Sequence, residues 1–335
     1  MISKKINNGL NGSPKIPGDK SISHRSIIVP SISNGITEVK NILQSEDVLH
    51  TLNAFKLMGV DIKEESKKII IDGRGLNSLK KPEKEIYLGN SGTSARLLTG
   101  LLSAQNFDTK ITGDKSLSSR PMKRIAEPLS LMDANIDTNQ GCLPMYIKGQ
   151  ELKNTTIDIK IPSAQIKSGL ILAALNTKGE TTIIEHNITR DHTEIMLDYF
   201  GANIMIKYEN QKKIIQVQGK KELKSNSIEV PSDLSSSAFF IVAALINKNS
   251  LIRLNGININ PTRDGILLAL KRMGANVTYL NKRKVCNEDI CDIEVESSDL
   301  IGCDLEADIA KLMIDEYPIL SIAACFAKSP SVFRG

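Results

Sequence analysis

Tryptophan is absent from the 335 residues, and aromatic side chains make up only 4% of them. Single strands of nucleic acid are gripped largely by stacking bases on such rings, so that class of partner has few platforms here. The net charge of +5 is spread thinly along the chain, which argues against a duplex binder as well. No window reaches the roughly 18 continuous apolar residues of a membrane helix. Met1–Ile6 lacks the long apolar core of a signal peptide, so none is expected. The five cysteines (Cys142, Cys286, Cys291, Cys303, Cys325) are odd in number and irregularly spaced. They read as reduced thiols of a cytoplasmic protein. Cys286 and Cys291 have no second ligand pair at finger spacing, so no metal is expected. What is present, 41% hydrophobic and 24% charged residues, is the balance of a globular chain long enough for two domains. The mild positive charge suits anionic ligands.

The most telling segment is Gly18-Asp19-Lys20-Ser21-Ile22-Ser23-His24-Arg25, followed at once by the apolar Ser26-Ile27-Ile28-Val29. Two cations and two hydroxyls stand at what reads as a helix start. Helix starts expose unpaired N–H groups and a partial positive charge, and so favour a phosphate or carboxylate. The nucleotide-binding P-loop is not matched, because Asp19 separates Gly18 from Lys20.

The chain also repeats itself. Leu57-Met58-Gly59-Val60-Asp61-Ile62, Leu131-Met132-Asp133-Ala134-Asn135-Ile136, Tyr199-Phe200-Gly201-Ala202-Asn203-Ile204 and Arg272-Met273-Gly274-Ala275-Asn276-Val277 are alike. They recur about every 70 residues, the size of a small folding unit rather than a solenoid repeat. Each closes a helical stretch, with the Gly that three of them carry as the expected C-terminal cap, and leads into strand-like sequence. A second helix type alternates with these: Ser21–Ser31, Ser91–Leu102, Ser163–Leu175, Ser235–Ile246 and Ile309–Phe326 open on small polar residues and run on almost wholly apolar. Helices of that composition are buried. The unit reads strand, buried helix, strand, amphipathic helix, strand, strand, with copies beginning near Lys20, Gly89, Ile161, Pro231 and Leu305.

Such units point several helix starts at one place. Those starts are Lys20-Ser21, Asn90-Ser91-Gly92-Thr93, Ser118-Ser119-Arg120, Ser163-Ala164-Gln165 and Thr189-Arg190. Ordinary capping would explain any one of them. Together they lack Glu and carry Lys or Arg in three cases, which points to a highly anionic ligand.

At this point the chain resembles, over its whole length, the 5-enolpyruvylshikimate-3-phosphate synthase family. Gly18-Asp19-Lys20-Ser21, Ser163-Ala164-Gln165-Ile166-Lys167, Arg190-Asp191-His192-Thr193-Glu194 and Asn260-Pro261-Thr262-Arg263 match the subgroup that includes glyphosate-insensitive members. Asn90-Ser91-Gly92-Thr93-Ser94-Ala95-Arg96, Ser119-Arg120-Pro121-Met122 and Asp315-Glu316-Tyr317-Pro318-Ile319 match more generally. Gly92, however, keeps the glycine of the herbicide-sensitive pattern, so the inhibitor response stays open. The resemblance implies an α/β fold of two domains built of βαβαββ units around buried parallel helices. The first domain would take residues 1–18 and 232–335, the second 19–231, with hinges near Pro17–Lys20 and Val230–Asp233 and substrates in the cleft.

The reaction implied is transfer of the enolpyruvyl group of phosphoenolpyruvate to the 5-hydroxyl of shikimate 3-phosphate, with release of phosphate and no cofactor. Lys20 would contact both substrates, with Ser21 and Arg25 on the shikimate ring's hydroxyl and carboxylate. Ser163, Ala164, Gln165 and Arg190 would receive the 3-phosphate or neighbouring hydroxyls. Arg120, with Gly92 and Gln165, would hold phosphoenolpyruvate, and Asp315, inside an apolar helix, would be the base. Arg96 and Asp47 read instead as a structural pair, His192 as a cap or packing residue, and Asp233 as a cap. The full-length protein is expected to be a monomer.

Six units would need about 420 residues, so a C-terminal part of the family pattern is expected to be missing. That part includes a Lys-Glu-Ser-Asp-Arg segment with the second acid–base carboxylate. Removing such a group costs about 100- to 10,000-fold in rate, so this chain alone is expected to be inactive or nearly so, with apolar helix faces exposed in the first domain. Two rivals stand beside this reading. One is a non-catalytic phosphate-ligand-binding fragment. The other is the enolpyruvyl transferase of UDP-N-acetylglucosamine, which prefers Lys-Asn at Lys20-Ser21 and uses a loop cysteine that no cysteine before Arg120 supplies.

Overall fold

One strand order recurs in every four-stranded sheet of the computed structural model, which describes residues 8–334. Met1–Ile6 and Gly335, on which the leader and end-of-chain readings rest, lie outside those residues. The chain divides into a central unit, Lys20–Val230, and a terminal unit made of the described residues up to Asp19 and from Pro231 onward.

The central unit holds three four-stranded sheets. The first runs Ile228–Glu229, Asn34–Lys40, Lys68–Arg74, Asp61–Glu64. The second runs Ile86–Tyr87, Thr109–Thr112, Cys142–Lys148, Asn135–Asn139, and the third Thr156–Ile159, Glu180–Glu185, Lys212–Gln218, Asn203–Glu209. In each, the first pair is parallel and the rest antiparallel. A parallel pair requires a crossover, and a buried helix supplies it in the second and third sheets. The first sheet takes its parallel edge, Ile228–Glu229, from the far end of the unit's own chain.

Seven helices belong to this unit: α1 (Lys20–Ser31), α2 (Glu46–Leu57), α3 (Gly92–Ser103), α4 (Lys115–Ser118), α5 (Lys123–Ser130), α6 (Ala164–Ala174) and α7 (His192–Tyr199). Helices α1, α3 and α6 are buried almost all round, as their mostly apolar composition with few charges dictates. Helices α3 and α6 approach at glycines: a Cβ on Gly100 would stand 1.9 Å from the carbonyl oxygen of Gly169. Any larger residue would drive the pair apart. Helix α5, by contrast, buries only Ile125 and Leu129. The repeated helix ends form as their sequence predicts. Gly59, Asp133 and Gly201, together with Gly274 of the terminal unit, follow their helices at φ between +66° and +83°.

The terminal unit contains one four-stranded sheet in the same order, Asn11–Gly12, Leu251–Asn258, Glu288–Glu296, Asn276–Val285, and a parallel pair of Asp304–Leu305 with Val332–Phe333. Its helices are α8 (Leu234–Ile246), α9 (Gly265–Arg272), α10 (Ala307–Ala310) and α11 (Tyr317–Cys325). Leu234, Ile241, Leu254, Ile266 and Ile293 pack into its core.

The single buried helix expected over 309–326 is not formed. The chain turns between α10 and α11, and Pro318 explains the restart: it lacks the N–H a helix interior needs, and the first turn is where that lack is harmless. Asp315 accordingly lies in the turn before α11 rather than inside a helix, and it is exposed. Only Leu320 and Ala323 of α11 are buried. Phe239 and Phe240 of α8, Ile322 of α11 and Phe326 are exposed apolar side chains. Among the described residues, no helix is long and apolar enough to cross a membrane.

Candidate active site

The first turns of α1, α3 and α6 come together in the central unit through side-chain hydrogen bonds. His24 Nδ1 lies 2.8 Å from Thr51 Oγ1, which lies 2.5 Å from Ser94 Oγ, which lies 2.6 Å from Ser91 Oγ. This relay of buried polar groups joins α1, α2 and α3. Ser91 also caps α3, accepting from Ser94 N, and Ser163 caps α6, accepting from Ile166 N. Both are the hydroxyl caps the sequence predicts.

Arg25 is buried beneath the start of α1. Its Nε donates to Thr193 Oγ1 at 2.6 Å, Nη1 to the Ser21 carbonyl at 2.8 Å, and Nη2 to Ser168 Oγ at 2.8 Å. It therefore couples α1 to α6 and α7. Lys20, at the head of α1, places Nζ 2.5 Å from Asp47 of α2.

Gly92 lies at the start of α3 between two guanidinium groups. A Cβ there would stand 2.9 Å from Nη1 of Arg96 and 2.9 Å from Nη1 of Arg120. Arg96 donates to Gln165 Oε1 of α6 at 2.7 Å, and Gln165 Nε2 donates to Thr93 Oγ1 at 3.0 Å. Arg120 donates to Asn90 Oδ1. Burial, and then repulsion by Arg120 and Arg124, lower the pKa of Arg96 from its ordinary value. Cations packed closely enough to disfavour one another's charge favour an incoming anion.

Arg190 precedes α7 in the segment between Glu185 and His192. That segment is fixed by buried charges. Lys167 Nζ of α6 lies 3.0 Å from Glu185 Oε2 and 2.9 Å from Glu194 Oε1, and Lys213 Nζ lies 3.0 Å from the same Glu194 oxygen. Burial alone would raise the Glu194 pKa, but attraction by Lys167 and Lys213 outweighs it and holds the carboxyl at about 2.

Nine of the ten sequence-predicted residues (Lys20, Ser21, Arg25, Gly92, Arg120, Ser163, Ala164, Gln165, Arg190) belong to the central unit; Asp315 belongs to the terminal one. Gly92, Arg120 and Gln165 meet around Arg96, and Ser21 and Arg25 meet at α1. Three expectations need correction. Arg96 and Asp47 are not each other's partners: Arg96 bonds Gln165, and Asp47 pairs with Lys20. Ser118-Ser119-Arg120 is not a helix start but the last residue of α4 and the two that follow it, and the cap of α4 is Asp114. Arg190 lies two residues before the first helical residue of α7. Asp233 does cap α8, accepting from Ser235 N at 3.1 Å. Missed in the sequence were Arg96 as the partner of Gln165 and Asn90 as the partner of Arg120. Both stand within the Asn90–Arg96 segment, and only folding reveals what they face.

The EPSP synthase (3-phosphoshikimate 1-carboxyvinyltransferase) family model matches residues 4–335. The 3-phosphoshikimate 1-carboxyvinyltransferase of Ruthia magnifica subsp. Calyptogena magnifica is 48% identical over 98% of this chain and 75% of its own length. That of Geobacter sulfurreducens is 44% identical over 97% of this chain and 75% of its own. The solved EPSP synthase of Acinetobacter baumannii has a TM-score of 0.89 at 46% identity, covering 97% of this chain and 74% of that one. These names do not favour the UDP-N-acetylglucosamine rival. By family model, by sequence and by fold, this chain belongs to the EPSP synthase family.

Proposed function

We propose that the chain serves the reaction of its family, transfer of the enolpyruvyl group of phosphoenolpyruvate to the 5-hydroxyl of shikimate 3-phosphate. The observation that carries the reading is the wedge of Gly92 between Arg96 and Arg120, with Gln165 bonded across from α6. It is an anion seat made of two guanidinium groups and a helix start.

In this reading Arg120 and Gln165 hold phosphoenolpyruvate, and Gly92 leaves room for it. Ser163, Ala164, Gln165 and Arg190 receive the 3-phosphate side of shikimate 3-phosphate, while Ser21 and Arg25 face the ring's hydroxyl and carboxylate. Lys20 serves both ligands. The 5-oxygen adds to C2 of the enolpyruvyl group as a proton reaches its methylene carbon. Asp315 accepts the hydroxyl proton. The tetrahedral adduct then expels phosphate and loses a methyl proton, restoring the double bond. Fixed cations stabilise the charge carried through these steps without reorganising.

The central and terminal units are taken as the two domains of the family fold. A monomer in the cytoplasm is part of the same proposal; the five free cysteines support the compartment. Titration calorimetry tests the reading: shikimate 3-phosphate should bind with one-to-one stoichiometry and UDP-N-acetylglucosamine should give no heat. No heat with shikimate 3-phosphate would sink it.

A further inference from the structure

Lys167 is the one charged residue of α6, whose other residues are Ile, Leu, Gly and Ala apart from Gln165 and Ser168, and its side chain is wholly buried. Its three N–H donors have three acceptors: Glu185 Oε2 at 3.0 Å, Glu194 Oε1 at 2.9 Å and the Thr189 carbonyl at 3.2 Å. The other oxygen of Glu185 accepts from the Thr189 backbone N–H at 3.2 Å and from the Thr189 hydroxyl. Thr189 thus has its N–H, its hydroxyl and its carbonyl all bound to this one buried pair. It is the residue before Arg190, in a segment with no strand or helix of its own.

Stability does not account for such an arrangement. Buried ion pairs are commonly neutral or unfavourable against apolar residues of similar volume, and α6 already offers an apolar setting. What the pair supplies is position. Lys167 stands one turn after Ser163, in the same turn of α6 as Ala164 and Gln165, so its ammonium links the first turn of α6 to the residues that carry Arg190. We infer that Lys167 and Glu185 are positioning residues that hold Arg190 at a fixed distance from Ser163–Gln165, setting the spacing of the groups that receive the 3-phosphate. This rests on the substrate reading above. The tie itself stands on the geometry alone.

The test uses the full chain and two variants, Lys167→Met and Glu185→Gln. Amide hydrogen exchange is read across residues 186–191, and the dissociation constant for shikimate 3-phosphate is read by calorimetry. Exchange in 186–191 should quicken, and binding should weaken by about 10- to 100-fold, as expected for lost hydrogen bonds to charged groups. Leu170→Ala, a buried change on the same helix, should lower the melting temperature yet leave both readouts unchanged. Should Lys167→Met fail to fold, Glu185→Gln carries the test, because Glu194 still neutralises Lys167. Unaltered exchange in 186–191 overturns the tie. Quickened exchange with unaltered binding overturns its role in spacing the site, as does equal weakening by Leu170→Ala. Failure of the parent chain to bind shikimate 3-phosphate overturns the substrate reading, and the exchange data then still decide the tie.

Discussion

Arg96 of α3 and Gln165 of α6 are joined by a 2.7 Å hydrogen bond between Nη1 and Oε1. The bond fixes two buried helix starts against each other where Gly100 and Gly169 already bring the helix backbones close. The same Nη1 also faces Gly92, whose carbonyl it reaches at 3.3 Å, with Arg120 on the other side, while Nη2 lies 3.4 Å from the Pro121 carbonyl. The charge is crowded there because burial and neighbouring arginines both oppose it. A bound anion relieves that crowding.

Gly92→Ala tests this seat. The added methyl would stand 2.9 Å from a terminal nitrogen of each arginine, so both must retreat. Both contacts are the mobile ends of long side chains, so the fold should survive. One methyl group in a fitted pocket is worth about 10- to 200-fold in selectivity. The dissociation constant for phosphoenolpyruvate should rise within that range while the melting temperature stays near the parent's. An unchanged constant would show that the ligand sits elsewhere.

Lys20→Met separates binding from stability. The Lys20–Asp47 pair is partly exposed, and such pairs contribute about 0–1 kcal/mol to folding. Losing the ammonium from an anionic ligand costs about 1.5–3 kcal/mol. Urea unfolding should therefore change little, while affinity for shikimate 3-phosphate falls about tenfold or more. Equal losses in both measurements would make Lys20 a structural residue.

The buried helices of the central unit were legible because a small polar start and a largely apolar body leave almost no exposed face. Helix α8 has the same composition yet exposes Phe239 and Phe240. Ser91 and Ser163 cap as expected, and Gly59, Gly201 and Gly274 end their helices as expected. Asp133 takes the same left-handed place without being glycine. The stretch 309–326 misled because apolar text does not reveal a break; the signal available was Pro318, which opens a helix more readily than it continues one. Within the site, the residue types at the helix starts could be read. The pairings could not, because Lys20 with Asp47 and Arg96 with Gln165 are fixed by how helices pack rather than by local sequence.

Glu194 should leave a mark on acid unfolding. Its carboxyl titrates at about 2 in the folded chain against an ordinary 4.5. A depressed carboxylate pKa contributes stability that is complete above 4.5 and lost as the pH falls towards 2. Glu194→Gln should be less stable than the parent at neutral pH, and its urea midpoint should fall less steeply through that window. Parallel pH profiles for the two proteins would rule out the assignment.

Arg263 offers the sharpest stability test. It is buried between Asp19, to which Nη1 donates, and Asp233, 3.1 Å from Nη2; Nη2 also donates to Ser235 Oγ at 2.6 Å. The backbone joins the same two segments, with Asp19 N bonded to the Pro231 carbonyl at 2.8 Å and Asp233 N to the Pro17 carbonyl at 2.9 Å. Burial, and then Asp19, already raise the Asp233 pKa; Arg263 is the largest influence opposing them, ahead of hydrogen bonds from Ser236 and Ser235. Arg263→Gln would strand two carboxylates side by side, and breaking a buried pair costs about 3–5 kcal/mol. Each stranded carboxyl would then titrate above its unfolded value, so protonation favours the folded form and the deficit should shrink as the pH falls from about 7 towards 4. Denaturant midpoints across that range decide it: a deficit independent of pH would mean that packing around the side chain, and not its charge, is what Arg263 supplies.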